Sequence, residues 1–213
     1  MLPGFRTFSE DFYSQCQELC LQVMVCFEVA CRLPPGSLVD RCKPAASELR
    51  YNHYPAISLR ELHQGHTRRG WPHTDFGLIT LLFQDTEGGL EYEDRSRKGN
   101  FIPLERKAPD EIAINISDTM QRLSNDYITS GIHQVWVPQH VAQGDMGLDE
   151  KMLPERKSAV FFFKAHWESQ VGPLQQFVPS GEASKYPDVT ALEFHKSMTS
   201  VLIENAGNFL QAT

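Results

Sequence analysis

No apolar run in this chain approaches the ~20 residues needed to cross a bilayer, and no repeat or low-complexity tract interrupts it. Its first residues, Met-Leu-Pro-Gly-Phe-Arg, lack the charged-then-apolar order of a secretion signal. Basic residues are outnumbered, 20 Lys and Arg against 27 Asp and Glu, for a formal net charge of −7. No basic patch interleaved with aromatics is present, and both features argue against nucleic acid as a partner. Cysteine is confined to Cys16, Cys20, Cys26, Cys31 and Cys42. An odd count without a signal segment argues for reduced thiols and a cytoplasmic location rather than a disulfide framework. What remains is a 213-residue chain, 41% hydrophobic, long enough to bury one core.

Apolar residues Phe12, Cys16, Leu19, Cys20, Val23, Phe27 and Cys31 recur at helical spacing. They predict an amphipathic helix over about 9–32, ended by Pro34-Pro35-Gly36. The cysteines on that face are expected to be core rather than zinc ligands. Further on, the pattern shortens to strand-like runs at 78–83, 90–92, 101–104, 111–116, 135–137 and 158–163, separated by turn signals such as Glu87-Gly88-Gly89 and Ala108-Pro109-Asp110. Even spacing of short strands predicts a mainly β fold with flanking helices, a jelly roll. The irregular stretch 138–147 is expected to be a lid. After Pro187, Asp188 or Thr190 is expected to cap a last helix that packs through Leu192, Phe194, Met198, Val201, Leu202 and Phe209. The expected organisation is a helical segment 1–48, a jelly roll 49–180 and a C-terminal helix 181–213.

Chemistry concentrates at His73-Thr74-Asp75, directly ahead of the apolar run Gly77 to Gln84. In a strand, positions i and i+2 face the same way, so this imidazole and carboxylate are expected to reach one cation. A second histidine would complete a facial triad, the donor set of non-haem Fe(II) oxygenases. Four histidines follow, His133, His140, His166 and His195. His133 is preferred because Gly131 to Val137 alternates as a strand edge. His63 and His66 sit beside Arg60 and Arg68-Arg69 and read as decoration of a polar loop. Asn115-Ile116-Ser117 matches a glycosylation acceptor but lies in an expected core strand and is discounted.

A second motif, Arg156-Lys157-Ser158, opens the run Ala159 to Phe163. Period 2 places Arg156 and Ser158 on one face, where a guanidinium fork and a hydroxyl can take a carboxylate. On its own, a surface arginine beside an apolar strand is the plainer reading.

These stretches, with Asn52-His53-Tyr54-Pro55, Gly88-Gly89-Leu90-Glu91 and Asn115 to Asn125, follow one another in an order that resembles the 2-oxoglutarate and Fe(II)-dependent dioxygenases of the isopenicillin N synthase-like superfamily. The wording of Pro72 to Phe76 and Ile116 to Thr119 looks most like fungal members that tailor secondary metabolites. The resemblance implies a double-stranded β-helix core, with His73, Asp75 and His133 on Fe(II). It implies Arg156, Ser158 and the Tyr54 hydroxyl on the distal carboxylate of 2-oxoglutarate, and Asn52 near its metal-chelating end. It further implies dioxygen as oxidant, ascorbate as reductant and a small-molecule substrate that is hydroxylated, desaturated or rearranged while 2-oxoglutarate becomes succinate and CO2. Phe76, Leu78 and Trp136 are expected to line the substrate pocket, whereas Leu82 is expected to be core.

Full-length members of that family carry a further region ahead of the long helix, near which this chain begins. Two alternatives therefore stand beside the leading expectation. One is an iron oxidase that takes its electrons from substrate or ascorbate. The other is a non-catalytic jelly-roll binding or interaction protein. Separately, a homodimer is expected to cover the edges exposed by the missing N-terminal region.

Overall fold

The computed structural model describes residues 3–65, 67–138, 141 and 151–211, with side chains through Val201. It opens on α1 (Phe5–Ala30). Ten strands follow: β1 (Glu48–Tyr54), β2 (Ile57–Ser58), β3 (Gly70–His73), β4 (Ile79–Gln84), β5 (Leu90–Glu93), β6 (Phe101–Pro103), β7 (Ala113–Ile116), β8 (His133–Val135), β9 (Met152–Leu153) and β10 (Arg156–Phe163). Among the described residues the other α-helices are α2 (Leu59–His63), α3 (Asp118–Leu123) and α4 (Ala191–Gln211). Two four-stranded antiparallel sheets form the jelly roll, one ordered β1-β10-β4-β7 and the other β3-β8-β5-β6. Among the described residues no helix is long and apolar enough to cross a membrane.

The two central strands of the first sheet, β10 and β4, are covered on both faces. Its outer face sends Phe161 and Phe163 of β10 and Ile79, Leu81 and Phe83 of β4 into the core shared with α1. There the Tyr13 ring meets Phe161 edge-on at 5.1 Å and Phe12 meets Phe83 at 4.9 Å. The alternate residues Arg156, Val160 and Phe162 of β10, with Thr80 and Leu82 of β4, turn inward to a cavity. Two buried faces explain why Ala159 to Phe163 reads as an unbroken apolar run instead of an alternating one.

Helix α1 buries Cys16, Cys20, Met24 and Glu28 as one stripe, whereas Leu19 stands at the surface. Burial pushes the Cys16 thiol up to about 11 and those of Cys20 and Cys42 up to about 12, so they behave as small hydrophobes. Glu28, only 4% exposed, accepts from the backbone N–H groups of Gly36, Leu38 (2.7 Å) and Val39 (2.9 Å). It thereby closes the loop that follows Pro34-Pro35. At the other end of the chain, Thr190 and Glu193 exchange hydrogen bonds as a capping box for α4. Phe194 of that helix packs on the core, while Leu192 and Val201, expected as contacts, are exposed. The lid expected over 138–147 lies, apart from Pro138 and Val141, outside the described residues, as do His66 and His140.

Candidate metal centre and its cavity

His73 closes β3 and pairs in register with His133, the first residue of β8. The two rings stand 4.3 Å apart. Asp75 comes not from the strand but from the turn between β3 and β4. This departs from the strand periodicity that the His-x-Asp spacing suggested, and the turn is pinned instead by hydrogen bonds. The Asp118 N–H donates to the Asp75 carbonyl at 2.8 Å, and the Thr74 hydroxyl donates to the Asp118 carboxylate at 2.9 Å. Gly77 follows because a Cβ there would collide with the Phe163 carbonyl.

The resulting donors face one another. His73 Nε2 lies 3.8 Å and His133 Nε2 3.9 Å from the two oxygens of Asp75, whose side chain is 5% exposed. One donor atom from each of the three residues falls within 4.8 Å of the others, which lets them share a cation. His73 Nδ1 meets the Trp71 carbonyl at 2.7 Å and His133 Nδ1 meets that of Gly131 at 3.2 Å. A carbonyl only accepts, so the Trp71 contact places the His73 proton on Nδ1 and leaves its Nε2 a lone pair for a metal, whereas His133 Nδ1 faces both the Gly131 carbonyl and, at 3.4 Å, the Asn115 amide nitrogen. Burial lowers the pKa of His133, favouring the neutral imidazole that a metal requires. The Asn115 amide donates to Asp75 Oδ2 at 3.3 Å and holds the carboxylate in place.

The triad opens on a cavity of about 1110 Å³. At a distance along its wall lies Arg156, 1% exposed, with its Nε donating to the Gly88 carbonyl at 2.9 Å and its Nη2 to Gln84 Oε1 at 3.0 Å. Its Nη1 is buried without a partner. Burial lowers the pKa of this guanidinium, against the opposing influence of Tyr54 and Asp85. The Tyr54 ring lies beneath it at 5.0 Å, opposite in the β1–β10 register. Asn52 faces Ser158 in the same ladder, amide to hydroxyl at 3.5 Å. An imidazole and carboxylate set suits Fe(II), and a buried guanidinium with a spare donor in the same cavity suits a carboxylate. The side chains present therefore fit both groups.

Three residues expected at the substrate pocket do not line this cavity. Phe76 does not line this cavity, its ring meeting His195 of α4 at 5.9 Å. Leu78 is fully buried in the core. Trp136 packs on the small cluster of Leu59, Leu62 and Leu153, with the Arg68 guanidinium stacked 4.4 Å from its ring centre. Leu82, expected as core, lines the cavity instead. Sequence reasoning passed over Asp118 and over Arg69, and it discounted Asn115. Asn115 had a visible signal, an amide inside an apolar strand, which lacks any reason to be there without a polar partner.

Comparison with known proteins agrees with this geometry. The sequence model of the 2OG-Fe(II) oxygenase superfamily matches residues 46–165. The chain is 43% identical over 201 residues to the 2-oxoglutarate-dependent dioxygenase imqE of Aspergillus flavus, covering 94% of this chain and 54% of that protein. It is 43% identical over 196 residues to the 2-oxoglutarate-dependent dioxygenase phqC of Penicillium fellutanum, covering 92% of this chain and 54% of that protein. The crystal structure of full-length Neurospora crassa T7H in complex with alpha-KG matches with a TM-score of 0.79 at 28% identity, over 91% of this chain and 56% of that one. The chain thus spans about half the length of the curated relatives it matches. Over the part it does span, the sequence and the fold both match, and the chain belongs to the 2OG-Fe(II) oxygenase superfamily.

Proposed function

We propose that the chain acts as a non-haem Fe(II), 2-oxoglutarate-dependent dioxygenase on a small organic molecule of a biosynthetic pathway. The reading rests on one observation above all. Arg156 is buried with an unpartnered Nη1 in the same cavity as His73, Asp75 and His133. Leaving a guanidinium donor unsatisfied in a desolvated site is costly, and a carboxylate of the co-substrate would relieve it.

Bound iron, with dioxygen and 2-oxoglutarate, supplies an oxidant strong enough for an unactivated C–H bond, as the co-substrate is converted to succinate and CO2. The protein's residues do the rest. His73 and His133 offer Nε2 while their Nδ1 atoms face the backbone carbonyls of Trp71 and Gly131, which fix the rings. Asp75 supplies the anionic ligand and Asn115 fixes its angle. Arg156, with Tyr54 and Ser158 beside it, takes the distal carboxylate, and Asn52 stands near the chelating end. Leu82, Ile114, Ile132, Val160 and Phe162 give the cavity apolar walls, which orient an organic substrate and keep water from the reacting centre. Hydroxylation, desaturation and ring rearrangement are all open to such a site, the choice being set by which C–H bond the walls present.

The test is an anaerobic titration of the protein with Fe(II) and then 2-oxoglutarate, monitored by the visible charge-transfer band of the chelate. A saturable band, lost in Arg156→Ala, is the expected result. Iron binding without a band would replace this reading with an oxidase that does not use 2-oxoglutarate. Absence of iron binding would leave a non-catalytic jelly roll.

A further inference from the structure

Arg69 stands just ahead of β3 on the wall of the same cavity. Its Nη2 donates to the carbonyl of Pro55 at 3.4 Å and to that of Pro154. Pro55 follows Tyr54, and Pro154 precedes Arg156 by two residues. Tyr54 and Arg156 are themselves paired across β1 and β10. One guanidinium thus straps together the two chain segments that present Tyr54 and Arg156 to the cavity. The group is not consumed by this task, because its Nε is buried with no partner, as is Nη1 of Arg156.

Among the described residues, neither Arg69 nor Arg156 has a carboxylate at ion-pair distance. Two cations sharing one partly desolvated end of a cavity repel, and each loses hydration. Burial and the field of Arg156 both lower the pKa of Arg69, with only partial relief from Asp85 and Glu87. An anion placed between them would remove both penalties at once. Arg156 has only Nη1 left for a ligand, its Nε and Nη2 being committed to Gly88 and Gln84, so a carboxylate with two oxygens has room for a second cationic donor.

Resting on the reading that this cavity takes 2-oxoglutarate, we propose that Arg69 is a second cationic contact for the distal carboxylate, so that paired guanidinium groups select a dicarboxylate. A purely structural strap predicts something different. It would hold Tyr54 and Arg156 in place for any 2-oxo acid, whatever its far end carries.

The experiment is calorimetric binding to the protein loaded with Mn(II), which imidazole and carboxylate ligands accept. Two ligands are compared, 2-oxoglutarate and 2-oxopentanoate, which has a methyl group where the distal carboxylate would be. Arg69→Gln is expected to weaken 2-oxoglutarate by about tenfold or more and to change 2-oxopentanoate by less than about threefold. Unchanged 2-oxoglutarate affinity, or equal loss of both ligands, would overturn the proposal. Should Arg69→Gln fail to fold, the unsubstituted protein answers through phenylglyoxal modification mapped by mass spectrometry. Shielding of Arg69 by 2-oxoglutarate but not by 2-oxopentanoate supports the proposal, and equal shielding or none overturns it. Failure of the unsubstituted Mn(II) protein to bind 2-oxoglutarate at all would defeat the underlying reading instead, an outcome distinct from these.

Discussion

His73 and His133 stand directly opposite each other in the β3–β8 ladder, their rings 4.3 Å apart, with Asp75 reaching toward both from the next turn. Cross-strand pairing brings together two imidazoles that are far apart in the chain, and rigid strands hold them there. Asp75→Ala is expected to abolish Mn(II) or Fe(II) binding, as read by calorimetry under anaerobic conditions. Asn115→Ala, which removes only the amide that orients the carboxylate, should weaken the metal by about 10–100-fold. Equal metal affinity in Asp75→Ala and the parent would reject the triad.

Arg156→Lys tests the guanidinium fork. Nε and Nη2 are committed to Gly88 and Gln84, leaving Nη1 for a ligand. A lysine has one nitrogen and cannot serve all three directions. The expected result is an approximately tenfold or greater loss of 2-oxoglutarate affinity, with metal affinity unaltered. An unaltered 2-oxoglutarate isotherm would remove Arg156 from the binding site.

Glu28 is a stability prediction far from the cavity. Burial raises its carboxyl pKa, but the N–H groups of Val39, Leu38 and Gly36 outweigh burial and hold it below its ordinary value of 4.5. A carboxyl with a lowered folded-state pKa stabilises the fold above the unfolded-state pKa, and that contribution fades as pH falls through the folded value. Glu28→Gln should therefore cost about 1–3 kcal/mol near neutral pH and less in acid. Urea melts at pH 7 and pH 4 provide the check, and an equal cost at both would show that the charge is irrelevant.

Gly77→Ala should destabilise the protein by about 1–3 kcal/mol, since the added Cβ meets the Phe163 carbonyl and must push the turn carrying Asp75 away from β10. Reduced metal affinity should accompany the lower melting temperature. A melt that matches the parent would mean that the turn yields freely.

Much of the architecture is written locally. The spacing of Phe12, Cys16, Cys20 and Phe27 suffices for α1, and the runs at 78–83 and 158–163 suffice for β4 and β10, because helix and strand periods are properties of adjacent residues. The chemistry of the site is equally visible as residue types, His73, Asp75 and His133 among them. Facing direction is another matter. Both faces of β4 carry apolar residues, Ile79 and Leu81 on one and Leu82 on the other, so nothing in the run Leu78 to Phe83 says that Leu82 borders the cavity while Leu78 joins the core.

What the sequence by itself determined is therefore the set of elements, the family-like order of motifs and the supply of ligating and anion-binding side chains. Only the tertiary structure decided which groups meet. It chose His133 as the partner of His73 through strand register, and it placed Asp75 in a turn held by Asp118. It also set Glu28 inside the core and brought Arg69 to the segments bearing Tyr54 and Arg156. The reason is physical: propensity and periodicity act between near neighbours, whereas burial, desolvation and hydrogen-bond satisfaction depend on chain segments that only the packed sheets bring into contact.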